Sequence, residues 1–317
     1  MAFSRASGLE QLLQRPEYES RWQRFLRSPV RYLANLLCQL CQPTRDATAT
    51  MSTPTADSRQ ITVVCTSDTH NAQPRLPDGD ILLHAGDLTQ SGTVDELNEQ
   101  IKWLDTQPHR YKVVIAGNHE LCLDQNKSIA SASAQIHWRS LTYLQHSSTT
   151  LHFESHALRI FGSPYTPQHG NWAFQYPRTG PGPWESNIPG DTDILLTHGP
   201  PKSHLDLGHM GCAHLLRALW CMPRKPGLHV FGHIHGGYGE EVLCWDEFQA
   251  VYERVMAVDC GWVSLVKLAW YALRRGRVWF FGGSEDREYT RLVNAAAVGG
   301  VRDKMRRDPI VVAIRRD

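Results

Sequence analysis

An α/β fold, with two β-sheets packed face to face and helices outside, follows from three features of this 317-residue chain. From Ile61 onward, short apolar runs alternate with amphipathic helical stretches, the pattern of strands joined by crossover helices. Two later runs, Thr149 to Ser155 and Leu158 to Gly162, meet near His156 and Ala157 and read as a hairpin, so antiparallel pairing is also present. Finally, Asp, Asn and His residues cluster directly after the strand-like runs, and strand ends converge on one edge of an α/β sheet.

Residues 1–60 stand apart as an N-terminal extension, and 61–317 form one domain. In the extension, Trp22, Phe25 and Leu26, then Leu33, Leu36, Leu37 and Leu40, recur at helical spacing. Ser28 serves as N-cap and Pro29 as first residue of the second helix. Arg21, Arg24, Arg27 and Arg31 accompany this apolar stripe, so the pair is expected either to dock on the protein's own surface or to lie on a membrane. Pro43 to Arg59, rich in Thr, Ser, Ala and Asp, reads as a linker.

Within the domain, Ile61 to Thr66, Asp80 to Leu83, Lys112 to Ala116, Ile194 to Thr197 and His229 to Phe231 read as strands. Thr93 to Thr106 is a helix, opened by Thr93 and Glu96 as a capping box, and a second helix runs from Asn126 to Gln135. Tyr165 to Asp191 is a long loop crowded with Pro, Gly and the aromatics Trp172, Phe174, Tyr176 and Trp184; such loops are either packed or functional. Two further helical patterns, Trp245, Phe248, Tyr252, Val255 and Met256, then Trp262, Leu265, Val266, Ala269 and Leu273, form a helical insertion over residues 241–285. Ile310 to Ile314 closes the domain as a strand.

Lys and Arg total 33 against 32 Asp and Glu, a net charge of +1. That balance excludes general nucleic-acid binding, which needs a strongly basic face. The 8 cysteines are scattered through a domain large enough to fold without staples, so reduced thiols in a cytoplasmic setting are expected. Cys38 and Cys41 form a lone CxxC with no second pair to complete a zinc site. No stretch reaches the roughly 18 apolar residues of a membrane span. Glu10, Glu17 and Glu19 break up the first residues, against a secretory or mitochondrial leader. The expectation is a cytoplasmic protein, with peripheral membrane association through the N-terminal helices as its variant. Nothing in the sequence sets an oligomeric state.

Five fragments carry the chemistry: Asp68-Thr69-His70, Gly86-Asp87, Gly117-Asn118-His119-Glu120, Thr197-His198-Gly199 and Gly232-His233-Ile234-His235. Each offers a carboxylate, an amide oxygen or an imidazole, ligands that suit Mn, Fe, Zn and Co. Asp68 and His70, two residues apart, share one side of the chain and can grip one ion together. Asp87, with two carboxylate oxygens, can bridge two cations. Asn118, His198, His233 and His235 fill the remaining positions. Glycines 86, 117, 199, 232 and 236 permit tight turns and close backbone approach. One such fragment is commonplace, whereas the series, each after a strand, makes a two-metal site.

This DxH, GD, GNHE, H and GHxH series resembles that of the calcineurin-like metallophosphoesterases over residues 61–239. More narrowly, Ser67-Asp68-Thr69-His70, Asn171-Trp172-Ala173-Phe174, Thr197-His198-Gly199-Pro200-Pro201, Gly211-Cys212, Phe231-Gly232-His233-Ile234-His235 and Val293-Asn294-Ala295 resemble the metallophosphoesterase-domain-containing branch. Its better-known members act on cyclic nucleotides and other phosphodiesters. The resemblance implies one metal on Asp68, His70, Asp87 and His235 and a second on Asp87, Asn118, His198 and His233, with manganese favoured. It implies hydrolysis of phosphodiester bonds in small substrates by a hydroxide bridging the metals, with His119 as general acid oriented by Asp87 or Glu120. Trp172 and Phe174 are candidates to stack on a base or another flat leaving group. His204 is a lesser candidate for substrate contact, as are His209, Arg178 and Lys202. The alternatives are a phosphomonoesterase or protein phosphatase, on the same ion pair, and a noncatalytic metal-binding scaffold.

Overall fold

In the computed structural model, the described residues are 20–41, 60–127, 135–154, 156–208, 210–257, 261–280, 288–300 and 305–314. Strands β1 (Ile61–Thr66), β2 (Ile81–His84), β3 (Tyr111–Ile115) and β4 (Thr142–Leu144) run parallel in one sheet. The second sheet contains β5 (Ser147–His152), β6 (Ala157–Ser163), β9 (Ile194–Thr197), β10 (Leu228–Phe231), β11 (Gly239–Cys244) and β12 (Tyr289–Asn294). Short pairs join β7 (Thr166–Pro167) to β8 (Gln175–Tyr176) and β13 (Val298–Gly299) to β14 (Met305–Arg306). β15 (Ile310–Ile314) pairs antiparallel with β1, giving the orders β15-β1-β2-β3-β4 and β11-β12-β10-β9-β6-β5. The expected hairpin is β5 and β6, paired antiparallel with Leu151 opposite Leu158.

Alternation along the strands explains why both sheets are buried on two sides. Val63, Cys65, Ile81, Leu83, Val113 and Ile115 meet Ile160, Ile194, Leu196, Leu228 and Val230 between the sheets. Val64, Leu82 and Val114 point the other way, onto Leu97, Ile101 and Leu104. A strand covered on both faces has no polar side, hence the unbroken apolar runs. Each such buried side chain is worth about 1.5–3 kcal/mol relative to exposure.

Helices α1 (Arg21–Arg27) and α2 (Pro29–Cys41) form at the expected positions. Helix α3 (Val94–Asp105) opens with the capping box: Thr93 Oγ1 accepts from Glu96 N, and Glu96 Oε2 from Thr93 N. A helix absent from the sequence expectations, α4 (Ala213–Cys221), covers the second sheet through Leu215 and Leu219. The helical insertion is α5 (Glu247–Ala257) and α6 (Gly261–Phe280), carried between the neighbouring strands β11 and β12. Residues 241–244, assigned to the insertion from sequence, belong instead to strand β11. The expected helix from Asn126 to Gln135 falls mostly on residues 128–134, outside the described residues, as does the linker from Pro43 to Arg59.

Helix α2 packs on the insertion. Val30, Ala34 and Cys38 are buried with Phe248, Tyr252, Val255, Met256, Leu265 and Leu268, and Tyr252 donates its hydroxyl to Asn35 Oδ1 at 2.7 Å. These contacts join α2 and the insertion into one helical unit with its own apolar cluster.

Candidate metal centre

Parallel strands aim their carboxyl ends at one edge, and the ligand residues leave from there: Asp68 after β1, Asp87 after β2, Asn118 after β3, His198 after β9, and His233 and His235 after β10. The backbone is left-handed at Asp68 (φ 51°), His70 (44°), Asp87 (53°) and His233 (65°). Residues with a Cβ pay about 1–2 kcal/mol for that conformation, and such strain collects where side-chain direction matters. Two glycines complete the fit. A Cβ at Gly117 would run into Asp87 Oδ1, and one at Gly232 into Asp68 Oδ2.

The donor atoms converge. His235 Nε2 lies 3.2 Å from Asp68 Oδ1 and 3.5 Å from His70 Nε2. Asp87 Oδ2 lies 3.9 Å from His70 Nε2 and 3.3 Å from His198 Nε2, which is itself 3.0 Å from Asn118 Oδ1. Donor atoms of Asp68, His70 and His235, of His70, Asp87 and His119, and of Asp87, His198 and His233 all fall within 4.8 Å of one another in each group. Asp87 therefore stands between two sets of imidazoles.

Tautomers are fixed from behind. His198 Nδ1 donates to Ala85 O at 2.8 Å and His70 Nδ1 to Thr89 O at 3.3 Å, because a carbonyl only accepts. Each then turns Nε2, the ligand atom, toward the cluster. Burial by itself would raise both aspartates, but with no cation competing for Nε2 the protonated imidazole of His235 holds Asp68 well below the usual carboxylate range, and that of His198 does the same for Asp87. The carboxylates are thus ionised, and the donor set fits a pair of divalent cations.

The family model for "Calcineurin-like phosphoesterase" matches residues 61–237, which contain every one of these ligands. The chain belongs to the calcineurin-like phosphoesterase family. It is 53% identical to the Emericella nidulans protein named "Probable rhamnogalacturonate lyase C", over 97% of this chain and 29% of that protein. It is 39% identical to the human metallophosphoesterase domain-containing protein 1, over 56% of this chain and 61% of that one. A UPF0046 protein of Caenorhabditis elegans is 32% identical over 69% of this chain and 86% of its own length. The chain therefore spans less than two thirds of the first two relatives, and its likeness to the human protein places it in the metallophosphoesterase-domain-containing branch of the family.

His119 stands at the rim with its ring 4.6 Å from that of His70. Neither Asp87 nor Glu120 orients its ring, contrary to expectation: Nδ1 donates to the carbonyl of Gln90 at 2.7 Å, and Asp87 Oδ1 instead accepts from the His119 backbone N. Glu120 is a loop clasp. Its carboxylate accepts from Asp87 N, Gly117 N, Thr89 N and Thr89 Oγ1, and burial with the neighbouring Asp87 charge pushes it up to about 7.

Of the three substrate candidates, only Trp172 lies at the site, stacked on the His119 imidazole with centroids 4.6 Å apart. Phe174 is 3% exposed and belongs to the core beneath α3, because its backbone is tied to Asp124 and Thr166. His204 is fully buried, with Nδ1 on Glu241 and Nε2 on Glu253, so neither nitrogen is left for substrate. Arg178 is used on the carbonyl of Gln168, and His209 lies outside the described residues.

Several supporting residues had no sequence signal. Buried His84 reaches Thr69 Oγ1, between two ligands, and buried His229 donates to Thr197 Oγ1, whose own proton goes to Gly199 O. Asn294 donates to Ile234 O and Leu205 O, fixing the last histidine loop, and Arg307 binds the carbonyl of His235. Only Asn294 carried a hint, through the Val293-Asn294-Ala295 motif.

Proposed function

We propose that this chain is a dinuclear metal-dependent phosphodiesterase for small substrates with a flat leaving group or base, cyclic nucleotides among them. One cation would sit on Asp68, His70, Asp87 and His235 and the other on Asp87, Asn118, His198 and His233. When bound, the pair supplies charge neutralisation for the phosphate oxygens and a solvent nucleophile usable near neutral pH.

The chain's own residues do the rest. His119, held by Gln90 through Nδ1, has Nε2 left to deliver a proton to the departing oxygen. Trp172 is 39% exposed while stacked on that imidazole, and this is the observation that carries the substrate class. An indole face beside the proton donor favours a planar group at the leaving side, since stacking is worth about 1–3 kcal/mol per base. A monoester with a planar leaving group meets the same ledge, so the preference for diesters rests on the resemblance to the metallophosphoesterase-domain-containing branch.

The experiment is a panel of bis-p-nitrophenyl phosphate, p-nitrophenyl phosphate and 2′,3′- and 3′,5′-cyclic nucleotides, with added Mn²⁺ and with chelator. Metal-dependent turnover of the diesters above the monoester is expected. Preference for the monoester, or turnover undisturbed by chelator, overturns the proposal. Rhamnogalacturonan belongs in the panel as a control, because the lyase name belongs to a protein of which this chain matches 29%.

A further inference from the structure

Helix α6 has two apolar faces and a protein partner for one of them. Leu265 and Leu268 are buried with α2 and α5. At 100° per residue, Trp262, Val263, Val266, Trp270 and Leu273 fall on a separate arc of about 100°. They are 61%, 71%, 69%, 65% and 69% exposed, respectively. A helix apolar on both sides belongs in an apolar environment on both sides. We infer that this second face rests on the surface of an anionic lipid bilayer.

Charge chooses the occupant. Exposed Lys267 and Arg274 follow one edge of the arc, and residues 261–280 contain no Asp or Glu. Residues 21–41 repeat the composition: Arg21, Arg24, Arg27 and Arg31, no acidic residue, and exposed Trp22, Leu26, Leu36 and Leu40. Arg275 is different, turned inward to Asp246 and over the Phe248 ring. A second copy of the chain would set basic rim against basic rim, whereas anionic headgroups neutralise it. Two tryptophans on the arc suit the boundary between headgroups and acyl chains. Among the described residues no helix is long and apolar enough to cross a membrane, so the helix would lie on the bilayer.

The full chain is sedimented with vesicles of phosphatidylcholine alone and of phosphatidylcholine with phosphatidylserine. Binding to the second set is expected, weakening by about fivefold for each cation removed in Lys267→Gln and Arg274→Gln. Trp262→Glu with Trp270→Glu should abolish binding while circular dichroism and Tm stay as in the parent. Three results overturn the inference: no binding to anionic vesicles, binding undiminished in the double tryptophan variant, or a solution dimer that this variant dissociates.

Discussion

The indole of Trp172 lies nearly parallel to the imidazole of His119, 24° between planes. An exposed aromatic thus shares a surface with a half-buried site histidine that hydrogen-bonds a carbonyl behind it. Replacing Trp172 with Ala is expected to raise KM for cyclic nucleotides and aryl diesters by roughly fivefold or more, corresponding to about 1 kcal/mol of stacking, with metal content unchanged. Steady-state kinetics on both substrates check it, and an unchanged KM would assign Trp172 to holding His119 alone.

His119→Ala should lower kcat by about 10²–10⁴ and leave bound metal at the parental level. Elemental analysis beside the kinetics separates proton delivery from ligation. Simultaneous loss of metal and rate would place the imidazole among the ligands.

Gly117→Ala and Gly232→Ala insert a methyl where Asp87 Oδ1 and Asp68 Oδ2 now lie. Each is expected to deplete metal and activity together, since the methyl also meets the Asp87 backbone N and the His198 ring at Gly117, and the Ser67 side chain at Gly232, all beside the ligand carboxylates. Metal stoichiometry and thermal unfolding of the purified variants are the measurements.

His204 gives a pH dependence of stability. Burial disfavours its charge, but Glu241 on β11 and Glu253 on α5 prevail, with the Tyr252 ring alongside; its pKa rises from 6.5 to about 10. A raised basic pKa means that the folded state binds the proton more tightly than the unfolded one. The contribution is therefore complete below about 6.5 and disappears as pH climbs through about 10. In thermal unfolding at several pH values, the Tm gap between parent and His204→Gln should be widest near neutrality and shrink in alkali. A constant gap would show that His204 stabilises by shape alone.

Legibility followed the range of each interaction. The strands that lead to the ligands are covered on both faces and so write themselves as apolar runs, and the Thr93–Glu96 box is local. Strand β11 carries Glu240 and Glu241, which look like loop residues until Arg291 and His204 are brought beside them by folding. Helix α4 is short and starts on an unusual cap, Cys212 Sγ accepting from Leu215 N. Phe174 looked like pocket because it is an aromatic two residues from Trp172 in an aromatic-rich loop, yet a partner as distant as Asp124 turns it inward. Orientation of His119 depends on a backbone carbonyl, which no pattern of side chains can announce.

Cys244 and Tyr289 face each other as the last pair of the β11–β12 ladder. Everything between them is thus a graft spliced into what a two-residue hairpin turn could close. Such a graft is transplantable in topology but bolted in practice: Glu253 reaches out of it to His204 and to the Trp220 indole. Excising it would leave the His204 imidazole with Glu241 as its one remaining hydrogen-bonded carboxylate, so the segment is tied into the interior that it covers.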